Sequence, residues 1–397
     1  MPQSSAALAI DAVSVRQCGR GVLSLALMAA RNRTLELLDQ HLASDRLSPD
    51  SLWIAGHAAW FAERWTLRDA AGTAGTARSD RPASLLPQAD AWFEPPSRAW
   101  TGQAPDPQAV RDYMLQQLEG TLELLETTDE PEAHLHLFRA ALWHEDLQGE
   151  ALVTLAQSQG VALTVQRPPL NAQRPELCFP ATRWTLGSPP EGFAPALERP
   201  CQEVEVPPFD IDAQPVCWSQ FVEFVNDAGY DRPELWHPAG WAWVQETGRR
   251  APRHVEQMGV ASGAVMQTLF GKSTRLAASQ PVMHVSWWEA DAWARWSGRR
   301  LPTEPEWEVA AVTATQRGFR WGDVHEWTAG TLRLWPGFCP DRWAHGTPLD
   351  PLPHVGLARV RRGTSFATPD RHRHPRARSF ALPHCDEDFV GFRTCAH

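Results

Sequence analysis

Apolar residues recur at spacings of three and four in four long runs before residue 160, and this period constrains the fold more than any other feature of the sequence. Such spacing places apolar side chains on one stripe of a helix, which must be buried against a neighbouring element. Pro or Asp stands near the start of several runs, as is typical of helix N-termini. The sequence therefore predicts a four-helix bundle. Its helices are expected at residues 20–43, 50–69, 106–127 and 131–158.

The pattern changes in the second part of the chain. Residues 166–200 are irregular and dense in proline, so we expect an extended connector with no secondary structure element of its own. Residues 201–397 contain short strand-like pieces rich in Gly, Pro and Trp, and only two helical patterns, at 217–228 and 287–297. The chain is thus predicted to be an α+β protein, with a helical bundle over residues 1–165, the connector, and an irregular, loop-rich domain.

Composition and charge argue against several classes of protein. With 37 Lys and Arg against 47 Asp and Glu, the net charge of -10 disfavours a general affinity for nucleic acid or anionic membranes. The seven cysteines are scattered and never spaced as C-x-x-C, so neither a disulfide framework nor a structural zinc site is indicated. The sequence has no recognisable export signal and no apolar run long enough to span a membrane. We therefore expect a cytoplasmic protein that binds neither membranes nor nucleic acid.

Two histidines lie on predicted inward stripes of the bundle. His57 stands in the second helical run among Ile54, Trp60 and Phe61, and His144 has a similar position in the fourth run. Inward histidines on different helices of one bundle are the arrangement from which bundle metal sites are built. Hydrogen-bonded core histidines would give the same pattern, so both interpretations remain open.

The fourth helical run also contains candidates for a third metal ligand. Residues 141–152 read ALWHEDLQGEAL, so Gln148 lies one turn after His144 on the same face. Glu145 lies on a less suitable face, and Glu150 points away. The amide oxygen of Gln148 is a harder and weaker donor than imidazole, so this residue predicts looser binding of a divalent first-row metal.

Other chemical motifs are weak or missing. The sequence has no phosphate-binding loop, no dinucleotide fingerprint, no G-x-S-x-G and no H-E-x-x-H. The basic segment at residues 361–379 could bind an anion, but such a run is more often a solvated or salt-bridged loop. Its few aromatic residues disfavour stacking on nucleic-acid bases.

Several longer blocks resemble a known family. The C-terminal blocks are similar to the sulfatase-modifying-factor domain, the fold of formylglycine-generating enzymes and of the C-terminal half of ergothioneine-type synthases. These blocks lie at residues 280–311 (QPVMHVSWWEADAWARWSGRRLPTEPEWEVAA), 324–330 (VHEWTAG), 361–366 (RRGTSF) and 390–395 (VGFRTC). The segments GHAAWF and HEDLQGEAL resemble the DinB-type bundle that precedes this domain in the synthases.

The resemblance implies a cofactor and its ligands. The family's iron is held by one histidine of the second helix and two of the fourth, and these positions are His57, His144 and Gln148 in this chain. It therefore implies Fe(II) as cofactor and O2 as co-substrate, with Gln148 in place of the third histidine. Formylglycine-generating enzymes also need cysteines in the late basic segment, and residues 361–379 contain none.

The resemblance also implies substrates. Relatives recognise hercynine (trimethylhistidine) and the carboxylates of a thiol co-substrate with a late stretch that here reads RSFA, residues 378–381. The candidates for substrate binding are Phe366, Arg378, Ser379 and Phe380, the two Phe by cation–π contact with the trimethylammonium group. Each Phe is equally consistent with an ordinary core aromatic.

The segment after RSFA indicates the charge of the second substrate. An anionic thiol such as γ-glutamylcysteine would meet Asp386, Glu387 and Asp388 where cations would be wanted, so a neutral co-substrate is predicted. The relative that uses a neutral co-substrate is selenoneine synthase, which joins hercynine to a selenosugar. The synthases that form sulfoxides use a late tyrosine as proton donor, and this chain has no tyrosine after Tyr230.

These observations lead to one expected activity and two alternatives. We expect a non-haem iron, O2-dependent enzyme that forms a carbon–selenium bond between hercynine and 1-seleno-N-acetylglucosamine. The first alternative is an ergothioneine-type synthase that uses a sulfur donor. The second is a non-catalytic binding protein whose metal site has been lost. No residue is assigned as a catalytic acid or base.

Overall fold

The computed structural model describes residues 11–44, 48–69, 82–95, 105–129, 131–165, 173–259 and 264–397. The chain folds into two compact units. Unit 1 comprises Met1–Leu155, Glu191–Pro195 and Thr368–His374, and unit 2 comprises Ala156–Pro190, Ala196–Ala367 and Pro375–His397. Residues 368–374, which lie inside the predicted second domain, therefore belong to unit 1.

The N-terminal part is helical, and each of the four predicted helices is present within a few residues of its expected bounds. A π-helical turn, Glu63–Leu67, continues directly from the helix Pro49–Ala62. The helices are α1 (Ala12–Val15), α2 (Arg20–Leu42), α3 (Pro49–Ala62), α4 (Ala89–Phe93), α5 (Pro107–Thr127) and α6 (Glu132–Gln159).

Local capping explains where two of the long helices begin. The side chain of Ser48 accepts a hydrogen bond from the backbone N–H of Asp50, and Pro49 occupies the first helical position, where its missing N–H costs nothing. Asp106 caps α5 in the same way, again with a proline next in the chain. A buried apolar cluster of unit 1 joins α2 to α1, α5 and α6. Its members are Val15, Leu23, Ala26, Leu27, Ala30, Leu125, Leu135, Phe138 and Leu142.

Unit 2 is a mixture of short strands and helices, which confirms the α+β fold class. The strands are β1 (Leu177–Phe179), β2 (Thr182–Leu186), β3 (Gln202–Val206), β4 (Phe209–Ile211), β5 (Val255–Gly259), β6 (Ala264–Leu269), β7 (Lys272–Leu276), β8 (His325–Thr331), β9 (Arg359–Arg362), β10 (Arg378–Ala381) and β11 (Val390–Phe392). The largest sheet has four strands in the order β10-β9-β8-β11, in which β8 and β11 are parallel. Smaller sheets pair β1 with β4 and β2 with β3, and a third has the order β5-β6-β7.

Unit 2 has more helices than the sequence predicted. The two expected helices are present as α7 (Trp218–Asn226) and α9 (Trp287–Trp296). Two others, α8 (Pro238–Thr247) and α10 (Glu304–Thr313), make the expectation of only two helices wrong. Both begin with a capping residue followed by a proline near the first turn.

The expected connector is also wrong in part. Residues 166–172 lie outside the described residues, but the rest of 166–200 contains β1, β2 and a short 3-10 helix, Ala196–Glu198. Both strands contribute to unit 2, because β1 pairs with β4 and β2 pairs with β3 in antiparallel register. Leu177, Phe179 and Leu186 are buried there. Proline density therefore marked the ends of short strands rather than a chain without structure.

Two expectations about the whole chain can be compared with the structure. All seven cysteines are free, as expected from their scattered spacing. Among the helices of the described residues, none combines the length and apolar character that crossing a bilayer requires.

Candidate metal centre

The two inward histidines of the bundle face each other. The ring centroids of His57 on α3 and His144 on α6 are 5.0 Å apart, with their planes inclined by 70°. Both side chains are buried, at 4% and 2% exposure. Two imidazoles bound to one ion, each about 2.1 Å from it through nitrogen, would have their ring centres about 5 Å apart. The pair therefore has the spacing of two ligands of a single metal ion.

A backbone atom of α4 holds the ring of His57 in place. Its Nδ1 is 2.8 Å from the backbone oxygen of Phe93, the last residue of α4. Since only an N–H can donate to a carbonyl, this contact places the proton on Nδ1 and leaves the lone pair on Nε2. Trp53 stacks on the same ring, with centroids 4.5 Å apart. Metal-binding histidines commonly have their second nitrogen fixed in this manner.

A small polar network holds α4 in place behind His57. Asp90 accepts two hydrogen bonds from the guanidinium of Arg68, at 2.7 and 2.9 Å, and one from the indole N–H of Trp60, at 2.7 Å. Trp60 is on α3, three residues after His57. This network fixes the carbonyl of Phe93, and the sequence offered no signal for it beyond the presence of the residues.

His144 is held mainly by aromatic contact. Its ring lies parallel to that of Phe61, with centroids 3.8 Å apart. Its Nδ1 is buried and has no hydrogen-bond partner. Burial, with a smaller contribution from His57, holds the pKa of His144 well below its ordinary value, so the ring is neutral. With the proton on Nδ1, the Nε2 of this neutral ring, which lies beside Gln148, can offer its lone pair to a metal ion.

Gln148 lies where the third ligand was predicted. Its amide nitrogen is 3.2 Å from Nε2 of His144, and the side chain is half-buried. Two donor atoms of one ion, each about 2.1 Å away at a right angle, are about 3 Å apart. Rotation of the amide group exchanges its oxygen and nitrogen positions, so the oxygen can take this place. The three residues thus fit a divalent first-row metal with open coordination positions.

The neighbouring acids are engaged elsewhere. Glu145 accepts two hydrogen bonds from Arg31 of α2, at 2.7 and 2.8 Å, and both side chains are buried. Glu150 accepts a bond of 2.8 Å from the hydroxyl of Thr368. Within the described residues, no group of three or more His, Cys, Asp or Glu could hold a metal ion. Gln148 is therefore a better candidate than Glu145 for a third protein ligand.

The late basic segment is a salt-bridged loop. Every arginine of residues 361–379 lies within ion-pair distance of a carboxylate, which agrees with the favoured interpretation and leaves little charge for an external anion. In unit 1, Arg371 donates to both oxygens of Asp146 on α6, at 2.8 and 2.5 Å. The pairs are Arg361–Asp388, Arg362–Glu308, Arg371–Asp146, Arg373–Asp370, Arg376–Glu308 and Arg378–Glu304.

The proposed substrate-binding residues all lie in unit 2. Arg378 donates to both oxygens of Glu304, at 2.7 and 3.0 Å, and to the carbonyls of Leu197 and Arg333. Arg378 is therefore paired within unit 2, and its role in substrate binding remains a prediction. The guanidinium also lies 4.6 Å from the ring centre of Trp335. Its position is that of a structural ion pair.

The other three candidates differ in their surroundings. Phe366 is half-buried, with its ring 4.5 Å from that of Phe389 in an edge-to-face contact. Phe380 packs beside His354, with centroids 5.2 Å apart. The hydroxyl of Ser379 is buried and has no hydrogen-bond partner. Substrate binding by these three residues remains a prediction.

The acidic run HCDED is electrically balanced. Asp386 is buried between Arg249 and Arg253, with 3.0 Å between it and Arg253. Arg253 also lies 3.5 Å from Glu387. With the pairing of Asp388 to Arg361, three carboxylates are matched by three guanidinium groups. These ion pairs reduce the repulsion that the acids would exert on an anionic thiol, and the charge of the co-substrate remains a prediction.

Both tyrosines are buried and donate hydrogen bonds to carboxylates. The hydroxyl of Tyr113 donates to Glu63 at 2.5 Å, and that of Tyr230 donates to Glu289 at 2.5 Å. Burial, reinforced by the adjacent carboxylate, raises the pKa of each phenol. Neither hydroxyl is placed as an exposed proton donor in its own unit.

Comparison with known proteins identifies a domain family and several relatives that this chain resembles. Residues 171–323 match the family model of the sulfatase-modifying factor enzyme 1-like domain. The chain is 30% identical to the hercynine oxygenase of Mycolicibacterium smegmatis over 94% of its length and 98% of the relative. It is 33% identical to a formylglycine-generating enzyme of Mycobacterium tuberculosis, over 40% of this chain and 62% of the relative. The structure of PvdO from Pseudomonas aeruginosa aligns with a TM-score of 0.36 and 17% identity, covering 58% of this chain and 97% of PvdO.

A helical N-terminal unit with a buried histidine pair, followed in sequence by a sulfatase-modifying-factor-like domain, defines the class of ergothioneine-synthase-like enzymes. The near full-length similarity is more specific than the domain match. The chain belongs to the hercynine oxygenase family.

Proposed function

We propose that this protein is a non-haem iron enzyme that uses O2 to form a carbon–selenium bond between hercynine and a selenosugar, 1-seleno-N-acetylglucosamine. The observation that supports it most strongly is the facing pair His57 and His144, 5.0 Å apart in the bundle interior, with Gln148 one turn further along α6. Hercynine as substrate is supported by the relatives, hercynine oxygenases, that match 94% of this chain.

The protein's own residues prepare the site for the metal. The carbonyl of Phe93 holds the proton of His57 on Nδ1, and burial keeps His144 neutral, so both rings can offer a lone pair. A bound Fe(II) would supply the centre at which O2 oxidises the two substrates. Gln148 would complete the protein's share of the ligands with a neutral oxygen.

With O2 as the oxidant, the atoms and electrons of the bond-forming reaction balance. The C–H bond of the imidazole carbon and the Se–H bond of the selenosugar break, and a C–Se bond forms. One oxygen atom leaves as water with the two hydrogens, and the other adds to selenium. A selenol is more acidic than a thiol, so it needs less assistance in losing its proton.

Two features of unit 2 support a neutral donor over γ-glutamylcysteine. The acids of HCDED are matched by equal numbers of arginines, so this segment has no surplus cation for a dianionic thiol. The hydroxyl of Tyr230, the later of the two tyrosines, donates to the buried carboxylate of Glu289, which distinguishes the chain from synthases that use a late tyrosine as proton donor.

A competition assay tests the proposal. The protein is reconstituted anaerobically with Fe(II), mixed with hercynine, the selenosugar, the matching thiosugar and γ-glutamylcysteine, and then exposed to O2. Mass spectrometry should show the hercynine–selenosugar adduct in clear excess, with O2 consumed in proportion. The His57→Ala variant serves as the control and should form none.

Other outcomes of this assay identify the alternatives. An adduct with γ-glutamylcysteine formed at an equal rate would assign the chain to the sulfur-using synthases. No adduct, together with iron far below one ion per chain, would indicate a binding protein that has lost its metal.

A further inference from the structure

Unit 2 contains a second pair of facing histidines. The ring centroids of His254 and His284 are 4.9 Å apart, with their planes inclined by 78°. This arrangement closely matches that of His57 and His144, at 5.0 Å and 70°. His254 directly precedes β5, and His284 lies in the segment before α9. Neither residue is part of the bundle.

The nitrogens of this pair are unsatisfied. Both ring nitrogens of His284 and Nε2 of His254 are buried and have no hydrogen-bond partner. The backbone of Asp386 and Glu387 lies near enough to favour the protonated ring of His284, but makes no hydrogen bond of normal geometry with it. Three buried nitrogens in one place without a hydrogen bond of normal geometry are rare in a folded protein, because each has lost its hydrogen bond with water.

The backbone at both histidines is strained. His254 has φ of 66° and His284 has φ of 62°, in the left-handed region that residues other than glycine seldom adopt. Such conformations persist only where the surrounding structure enforces them, and they are concentrated at functional sites. His284 is also completely buried. An ordinary core position would not combine this strain with unsatisfied nitrogens.

The charge around the pair suits a neutral imidazole and a cation. Burial lowers the pKa of His284 to about 3 and that of His254 to about 4, so both lone pairs are available at neutral pH. The nearby Arg249 and Arg253 are paired with Asp386, which limits their repulsion of a metal ion. A pocket of about 410 Å³ lies beside His254 and is lined by Arg249, Arg250 and Glu256 among other residues, whereas His284 is not part of its lining.

We infer that His254 and His284 form a second metal site, for a borderline divalent transition ion of the kind that imidazole prefers, such as Zn²⁺. Two imidazoles bound to one ion at about 2.1 Å have ring centres about 5 Å apart, as this pair does. Within the part of the chain that the structure describes, no third His, Cys, Asp or Glu completes the group, so water or backbone oxygens take the other positions. The ion would connect the start of β5 to the segment before α9.

Zinc binding by the full-length chain tests this inference. The variant His57→Ala/His144→Ala removes the bundle pair, and Zn²⁺ alone is added to it. We expect one Zn²⁺ per chain by mass spectrometry of metals, and a higher unfolding temperature with zinc than without. Adding His254→Phe should weaken zinc binding about 10-fold or more, since loss of a ligand costs at least as much as loss of a supporting group.

A matched variant and a direct measurement complete the test. His384→Ala removes an exposed histidine of the same unit and should leave zinc binding unchanged. X-ray absorption of the zinc-loaded chain counts imidazole ligands without any change at residue 254, and should find two. The inference is overturned if the His57→Ala/His144→Ala variant binds no zinc, or if His254→Phe and His384→Ala reduce zinc binding equally. It is also overturned if X-ray absorption finds fewer than two imidazole ligands.

Discussion

The carbonyl oxygen of Phe93 lies 2.8 Å from Nδ1 of His57, although the two residues are 36 positions apart in the chain. This contact selects the tautomer of His57 and orients its ring. The short helix α4 therefore acts on the candidate metal site through one backbone atom. Anything that displaces α4 should disturb the site without touching a predicted ligand.

Gly56 offers the cleanest way to displace α4. A Cβ at this position would overlap the ring of Phe93, so Gly56→Ala must push Phe93 away from His57. We expect a loss of about 1 to 3 kcal/mol in the free energy of unfolding. Iron affinity should fall about 10-fold to 100-fold, the usual scale for losing a supporting contact. Urea unfolding and iron titration under anaerobic conditions measure the two effects.

Gly21→Ala is the matched control for this change. Gly21 lies near the start of α2, and a Cβ there would meet no atom within 4 Å. This variant should be stabilised by up to about 1 kcal/mol, because alanine loses less backbone entropy on folding. Equal iron affinity of Gly56→Ala and Gly21→Ala would show that the Phe93 carbonyl does not support the site.

The buried ion pair Arg31–Glu145 is expected to affect stability rather than iron binding. Glu145→Gln removes one charge and leaves Arg31 buried without its counter-ion, which should cost about 3 to 5 kcal/mol of the free energy of unfolding. Arg31→Met combined with Glu145→Leu should recover much of this loss. Iron stoichiometry should be retained in Glu145→Gln, since Glu145 is engaged with α2. Loss of iron at unchanged stability would instead make Glu145 a metal ligand.

The helical bundle could be predicted because its information is local. A period of three and four, together with caps such as Ser48 and Asp106, determines a helix wherever it lies in the fold. The same local signals were present at α10, where Thr303 and Glu306 form a capping box, but its apolar stripe is short and was missed. Strands β1 and β2 were missed because their partners β4 and β3 lie further along the chain.

The part of the candidate site that depends on helical spacing could also be predicted from the sequence. Helical spacing placed His57, His144 and Gln148 on inward faces, and the structure brings the two rings together. The carbonyl of Phe93 and the charge balance of Asp386 could not be predicted, because each depends on residues distant in sequence. A run of acids such as HCDED gives its formal charge, whereas its effective charge depends on which arginines fold against it.

Glu289 predicts a pH dependence of stability. It is buried and accepts hydrogen bonds from Tyr230 and Ser286, and burial raises its pKa to about 7, from an ordinary 4.5. Between these values the folded protein holds a proton that the unfolded chain has lost. The free energy of unfolding therefore falls as pH rises from about 4.5 to about 7, by about 3 kcal/mol for this group, and is flat above.

Paired urea titrations across this range isolate the contribution of Glu289. In Glu289→Gln the fall should disappear, so the stability of the parent relative to the variant should decline between pH 4.5 and 7. The exposed Glu246→Gln serves as the control and should follow the parent at every pH. A constant difference between the parent and Glu289→Gln would mean that the carboxyl is ionised in the folded protein throughout.

Gln148 occupies the position at which the resemblance implies a third histidine ligand. Its amide nitrogen is 3.2 Å from Nε2 of His144, and the side chain is half-buried, so loss of this polar contact should be costly. Gln148→Ala should lower iron affinity or turnover about 10-fold to 100-fold. Gln116→Ala, at an exposed position of α5, should change neither.

Gln148→His separates a metal ligand from a bystander. Imidazole is a stronger donor to Fe(II) than an amide oxygen, so this variant should bind iron more tightly than the parent. Its turnover should fall at the same time, because a reaction adjusted to the weaker ligand is disturbed. Iron titration and product formation are measured on the same preparation. If Gln148→His binds iron no better than the parent, Gln148 does not contact the metal, and the third ligand must be a water molecule or another group.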